Sequence, residues 1–272
     1  RPGALARLRT ELDADMLGKR AEPYRHRLQD ALGVRDVLDG RRRLHWTADA
    51  AIVSDPPEKA QGAAADASWM VAVLRRQVER AERELKIISP YFVPGQTGLD
   101  WIGGLCDRGL EVGILTNSLA ANDVVAVHGG YARYRVPLLQ RGVSLYELKP
   151  YGPPGRPKLF GSSGASLHTK AFVVDGAHGF IGSFNLDPRS INLNTEMGLQ
   201  FESPAAATEL DQLYAAKTSP QTSYRLQLVD GQLRWHDPDG MPPQIWDREP
   251  RASVWRRAVA RVIGWLPIES QL

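Results

Sequence analysis

Between residues 168 and 185 the chain reads His168-Thr169-Lys170, then Asp175, then Gly182-Ser183-Phe184-Asn185. On an extended strand, side chains at i and i+2 share a face, so His168 and Lys170 point one way while Leu167, Thr169 and Ala171 point the other. An imidazole and a fixed cation are thereby aimed at one spot. If the next strand pairs with this one, its end delivers Ser183 and Asn185 beside them, and Gly182 lets backbone approach a ligand closely. A phosphodiester suits such a set. Its single negative charge wants a cation and its non-bridging oxygens want short donors, while displacement needs an imidazole to attack phosphorus or protonate the leaving oxygen. That inventory requires no metal, and the six histidines (His26, His45, His128, His168, His178 and His236) show no ligand-type spacing.

The elements that must position these residues follow from the hydrophobic pattern. From residue 85 onward strands and helices alternate: strand 85–89, helix 99–107, strand 111–116, helix 124–140 and strand 143–148. This βαβ rhythm predicts an α/β fold with a mixed, mostly parallel sheet flanked by helices on both faces. Residues 150–165, rich in Gly, Pro and Ser, form a loop that leads into strand 167–174. Strands at 180–183 and 196–201 continue the sheet, Ser203-Pro204 opens a helix by capping, and Asp230-Gly231 is a two-residue hairpin signal. Upstream, residues 4–32 read as an amphipathic helix broken around Pro23, residues 44–53 as an extended segment ending at Pro56-Pro57, and residues 58–84 as a long helix.

Composition narrows the class. With 272 residues, 43% hydrophobic and 24% charged, the chain is neither disordered nor collagen-like. The lone Cys106 excludes an internal disulfide and a multi-thiolate metal site. A net charge of +3, with Arg41 to Arg43 as its dense run, is too modest for a nucleic-acid stripe. No stretch reaches the roughly 18 apolar residues of a membrane span.

The residues match the signature His-x-Lys-x4-Asp-x6-Gly-Ser-x-Asn at every specified position, so the chain resembles the phospholipase D superfamily. A chance match over this length has odds of roughly a few in a million. The stretches Ser89-Pro90-Tyr91-Phe92-Val93-Pro94-Gly95, Leu115 to Ala120, His128-Gly129-Gly130-Tyr131 and Trp265 to Glu269 are similar to bacterial cardiolipin synthases, most like their C-type group. The resemblance implies a phosphatidyltransferase that makes cardiolipin from phospholipids, commonly phosphatidylglycerol, through a phosphohistidine intermediate and without a cofactor. Phospholipase D-type hydrolysis and a nuclease of the same superfamily are the alternatives. By the same resemblance His168, Lys170, Asp175 and Glu196 form the catalytic set, with Glu196 holding the histidine ring by its other nitrogen. Lys170, Ser183 and Asn185 bind the phosphate, and Asp175 supports the loop of the motif.

Relatives of this kind carry two such motifs, and here there is one. Residues 1–55 are therefore expected to be the remnant of a first half, and residues 56–272 a second phospholipase D-like domain with half a site. The expected partners are the missing half or a second copy, phospholipid and a membrane surface, with no nucleic acid; the chain alone is expected to be inactive. The last helix, residues 253–266, places Val254, Trp255, Val262 and Leu266 against Arg256, Arg257 and Arg261, a pattern for docking on the core or lying in a bilayer interface. Peripheral attachment to the bacterial inner membrane is the implied location. His128 and Arg189 are further candidates for substrate contact.

Overall fold

The computed structural model describes residues 34–41, 44, 46–62, 69–150 and 167–272. The helix expected over 4–32, Arg42 and Arg43 of the basic run, and, apart from Pro150, the loop expected over 150–165 lie outside the described residues. Two compact units are present, Arg1–Trp46 and Thr47–Leu272. In the first, the described element is the short helix α1 (Val34–Leu38), whose Asp36 accepts a 2.7 Å bond from Arg41.

The second unit begins with β1 (Ala50–Ser54) and a 3-10 turn (Pro57–Gln61), followed by α2 (Met70–Glu79), β2 (Glu84–Ile88) and α3 (Gly95–Asp107). Next come β3 (Glu111–Asn117), α4 (Val125–Ala132), α5 (Arg135–Gln140), β4 (Ser144–Leu148), β5 (Lys170–Val174) and β6 (His178–Gly182). It closes with α6 (Pro188–Asn192), β7 (Met197–Glu202), α7 (Pro204–Thr218), β8 (Ser223–Val229), β9 (Gln232–Asp237), β10 (Gln244–Trp246) and α8 (Val254–Trp265). The unit starts earlier than residue 56 because Ala50–Ser54 pair with β7, from Ala50 opposite Phe201 to Ser54 opposite Met197. That segment is an edge of the main sheet.

The ten strands among the described residues form one sheet in the order β1-β7-β6-β5-β2-β3-β4-β8-β9-β10. The mixed α/β sheet with helices on both faces is as expected, but its parallel part is confined to β2–β3–β4. The other pairings are antiparallel. Helices between β2 and β3 and between β3 and β4 supply crossovers long enough for parallel neighbours, whereas β5–β6 and β8–β9 are joined by tight turns, which permit antiparallel pairing alone. Asp230 at φ 51° and Gly231 at φ 73° make the second of these turns, as their dipeptide predicts.

One face of the sheet carries Leu85, Ile87, Val112, Ile114 and Leu145 against Leu99, Ile102 and Leu105 of α3 and Leu138 of α5. On the other face Ile88, Leu115 and Leu148 pack on Tyr214 of α7. Ser203 and Ser253 cap α7 and α8 by accepting from Ala206 and Arg256 backbone N–H. The helix expected over 124–140 is broken between Ala132 and Arg135. Pro137 has no N–H to return to the Arg133 carbonyl, which ends the run there.

Candidate active site

His168 and Lys170 sit where the chain enters β5, and the β5–β6 ladder pairs Lys170 with Gly182, so Ser183 emerges beside them. The entry to β5 is fixed from a distance. Buried Asn117, at the end of β3, accepts a 3.0 Å bond from the Leu167 N–H and donates at 3.3 Å to the Leu167 carbonyl. Both bonds act on backbone, so they set the position of His168 whatever its side chain does. Lys170 is buried, and its Nζ donates at 2.9 Å to the His168 carbonyl and lies 3.4 Å from His168 Nδ1 and 6.0 Å from the Tyr91 ring. Burial lowers the Lys170 ammonium from its ordinary value, opposed by the carboxylates of Glu196, Asp187 and Asp123. Tyr91 is itself anchored, its hydroxyl donating at 2.8 Å to Asp123.

Ser183, exposed, donates its hydroxyl to Glu196 and accepts from the Met197 N–H at 3.0 Å. Asn185 is almost fully buried, and its Oδ1 has no partner among the described residues. His168, Lys170, Gly182 and Ser183 line an open recess of about 580 Å³ with Ile52, Met197, Gly198 and Leu199. A cation, an imidazole and a hydroxyl therefore share one solvent-accessible hollow. Gly182 lines the recess, and a Cβ there would lie 2.4 Å from the Met197 carbonyl and 2.7 Å from the Phe180 ring. It makes room for the neighbouring strand and an aromatic ring.

Glu196 reaches the site but not in the expected role. Its carboxylate accepts from Ser183, from Ser190 Oγ at 3.0 Å and from Asn194 at 3.4 Å, and no contact with the His168 ring occurs among the described residues. Behind it lies a buried ion pair that sequence reasoning missed. Lys59 and Asp55, both fully buried, meet at 2.6 Å. Asp55 also accepts from the Glu196 and Met70 N–H groups at 3.1 and 2.9 Å, and Lys59 donates at 2.8 Å to the Ser190 carbonyl. Asp187 caps α6 by accepting from the Ser190 N–H at 2.7 Å. Burial raises its carboxyl above the ordinary value against that bond.

Asp175 is not brought to the site. It lies past the far end of β5, roughly 15 Å along the strand from Lys170, at φ 53°. Its carboxylate accepts from the backbone N–H groups of Glu82, Arg83 and Glu84, each at 2.9 Å. Burial raises this carboxyl, but those three donors and the Arg83 guanidinium outweigh it and hold the group below 3.8. A depressed carboxylate stabilises the fold above its unfolded value and loses that contribution as pH falls through its folded value. Asp175→Ala is expected to lower unfolding free energy by about 1–2 kcal/mol, discounted for solvent screening. Asp175→Asn should cost less, since its amide oxygen keeps the bonds from Arg83 and Glu84 and asparagine tolerates positive φ. Urea melts at pH 7 and pH 3 check this; a wild-type advantage over Asp175→Ala that is unchanged at pH 3 contradicts it.

His128 is fully buried rather than offered to substrate: its Nε2 meets Arg135 and lies 3.3 Å from Glu249, and Arg135 pairs with Glu147 at 2.8 Å. Arg189 is exposed on α6, its backbone N–H bonded to the Leu272 carbonyl at 3.0 Å. Helix α8 docks on the core with one face and leaves apolar side chains exposed on the other. Ala260 and Gly264 pack on Gly129 of α4, where a Cβ would lie 2.6 Å from the Ala260 carbonyl, while Trp255 and Trp265 stay 65% and 78% exposed. No helix among the described residues is long and apolar enough to cross a membrane, and none of their side chains cluster as a metal site.

Cardiolipin synthase C of Escherichia coli strain K12 is 39% identical over 251 residues, which are 90% of this chain and 53% of that protein. Cardiolipin synthase A of Yersinia pseudotuberculosis serotype O:3 is 28% identical over 187 residues, 68% of this chain and 31% of that one. The chain thus spans about half the length, or less, of these relatives. Among solved structures, Nuc of Salmonella typhimurium, a phospholipase D family member, aligns at 14% identity and a TM-score of 0.46, covering 65% of this chain and 97% of that one. The family model described as cardiolipin synthase, PLD-like domain, matches residues 74–217. That match takes in the whole motif and more than half of the sequence, and the chain belongs to this phospholipase D-like cardiolipin synthase family.

Proposed function

We propose that this chain supplies one half of the active site of a phosphatidyltransferase that makes cardiolipin from phospholipids through a phosphohistidine intermediate. The observation that carries this reading is the gathering of His168, Lys170 and Ser183 around one open recess in a member of this family. Lys170 neutralises the phosphate, and the Ser183 hydroxyl and the Asn185 amide N–H donate to its oxygens. A second histidine, from an upstream half or a second copy, attacks phosphorus to form the N–P bond. His168 gives its proton to the departing glycerol oxygen, then removes the proton from the incoming headgroup hydroxyl as that oxygen takes the phosphatidyl group. Two phosphatidylglycerols thereby give one cardiolipin and one glycerol, with no nucleotide consumed.

The exposed row Ile52, Ile181 and Leu199, aligned across β1, β7 and β6 beside the recess, supports completion by another motif-bearing unit, since it leaves apolar surface in water next to an incomplete site. Trp255, Val262 and Trp265 with Arg257 and Arg261 on α8 support peripheral attachment to an anionic membrane. The test is to incubate labelled phosphatidylglycerol vesicles with the purified chain and with the polypeptide extended at its N-terminus by a second motif. Equimolar cardiolipin and glycerol from the extended protein supports the proposal. Phosphatidic acid as sole product favours hydrolysis, and no lipid product from either overturns it.

A further inference from the structure

We infer that a second, apolar cavity takes one acyl chain of the phospholipid. It lies between α2 and α3 on the sheet face to which Lys170 points, with a volume of about 540 Å³. Its walls are Leu74 and Val78 of α2, Trp101 and Ile102 of α3, and the stacked rings of Phe172 and Phe180. Apolar walls that face open space rather than one another give up packing contacts, and an aliphatic chain between them would restore these. The cavity lies within the roughly 300–1,000 Å³ of ligand pockets, and its mostly apolar lining suits an aliphatic chain.

Two observations select the occupant. Phe172 shares a strand face with Lys170, Ala171 is its neighbour, and Phe184 stands between Ser183 and Asn185, so the cavity wall is continuous in sequence with the phosphate-binding residues. Glu269, held by Tyr134 at 2.7 Å, lines the cavity just beyond exposed Trp265 and Leu266 of the outward-facing helix end. A lipid met by that helix has the cavity rim close by.

This inference rests on a phospholipid substrate, and its test separates the two. Phosphatidylglycerol vesicles doped with phosphatidylglycerol carrying a mid-chain diazirine are irradiated with the extended protein and with its His168→Ala variant, and labelled peptides are mapped by mass spectrometry. Label on residues 70–79 and 95–107 in both is expected, falling at least tenfold in Leu74→Phe or Val71→Phe, whichever retains cooperative unfolding, while label on 254–265 is unchanged. Label confined to 254–265, or wall label that survives filling, overturns the inference. Cardiolipin formed without wall label overturns the acyl site and leaves the transferase reading standing; wall label without any lipid product does the reverse.

Discussion

His168→Ala, assayed on phosphatidylglycerol vesicles in the assembly that supplies the second motif, is expected to lower cardiolipin formation by at least about 10³-fold. Its unfolding free energy should stay within about 0.5 kcal/mol of wild type. The imidazole is exposed, and the contacts that hold this segment are made by backbone: Asn117 grips Leu167, and Lys170 donates to the His168 carbonyl. Alanine keeps all of them. The loss is therefore chemical, which initial rates and urea melts on the same protein separate. A variant within tenfold of wild-type rate would take His168 out of the proton transfers assigned to it.

Lys59→Met has the largest expected effect on stability. It leaves the Asp55 carboxylate buried with two backbone donors and no cation, a situation that costs about 3–5 kcal/mol, out of a total that for a domain is about 5–15 kcal/mol. The pair also ties the turn after β1 to the Ser190 carbonyl and the Glu196 N–H, so the site should loosen with it. Adding Asp55→Asn removes the stranded charge and should recover part of the loss, giving a coupling energy well above the scatter of independent sites. Urea melts of the two single variants and the double variant measure this. A Lys59→Met cost below about 1 kcal/mol, or strict additivity, contradicts the role given to the pair.

The part of the site legible in the sequence is the part that one hairpin brings together. His168, Lys170 and Ser183 lie within a single strand–turn–strand unit, where a period of two and a tight turn decide which side chains meet. The cap at Ser203 and the Asp230-Gly231 turn were readable because their signals are likewise local. What escaped depends on partners far along the chain. Nothing local to Asn117 shows that it clamps Leu167, and Lys59, placed in a long helix by its neighbours, is a buried cation because Asp55, Ser190 and Trp69 surround it. Glu196 was placed correctly and given the wrong partners, since Ser190 and Asn194 come to it through the local path of α6. Asp175 belongs to the same motif, yet four residues of strand carry it past the opposite end of β5. The parallel rhythm of residues 84–148 was real, and extending it to the hairpins beyond was the error.

If Lys170, Ser183 and Asn185 form a seat for a phosphate group, a free tetrahedral oxyanion should occupy it. Crystals of this chain soaked with tungstate, a tetrahedral oxyanion with strong anomalous scattering, test it without requiring turnover. The expected result is a peak within hydrogen-bonding reach of Lys170 Nζ and the Ser183 hydroxyl, absent in Lys170→Met. Tungstate bound elsewhere with this recess empty, or held equally well by the methionine variant, would contradict the claim.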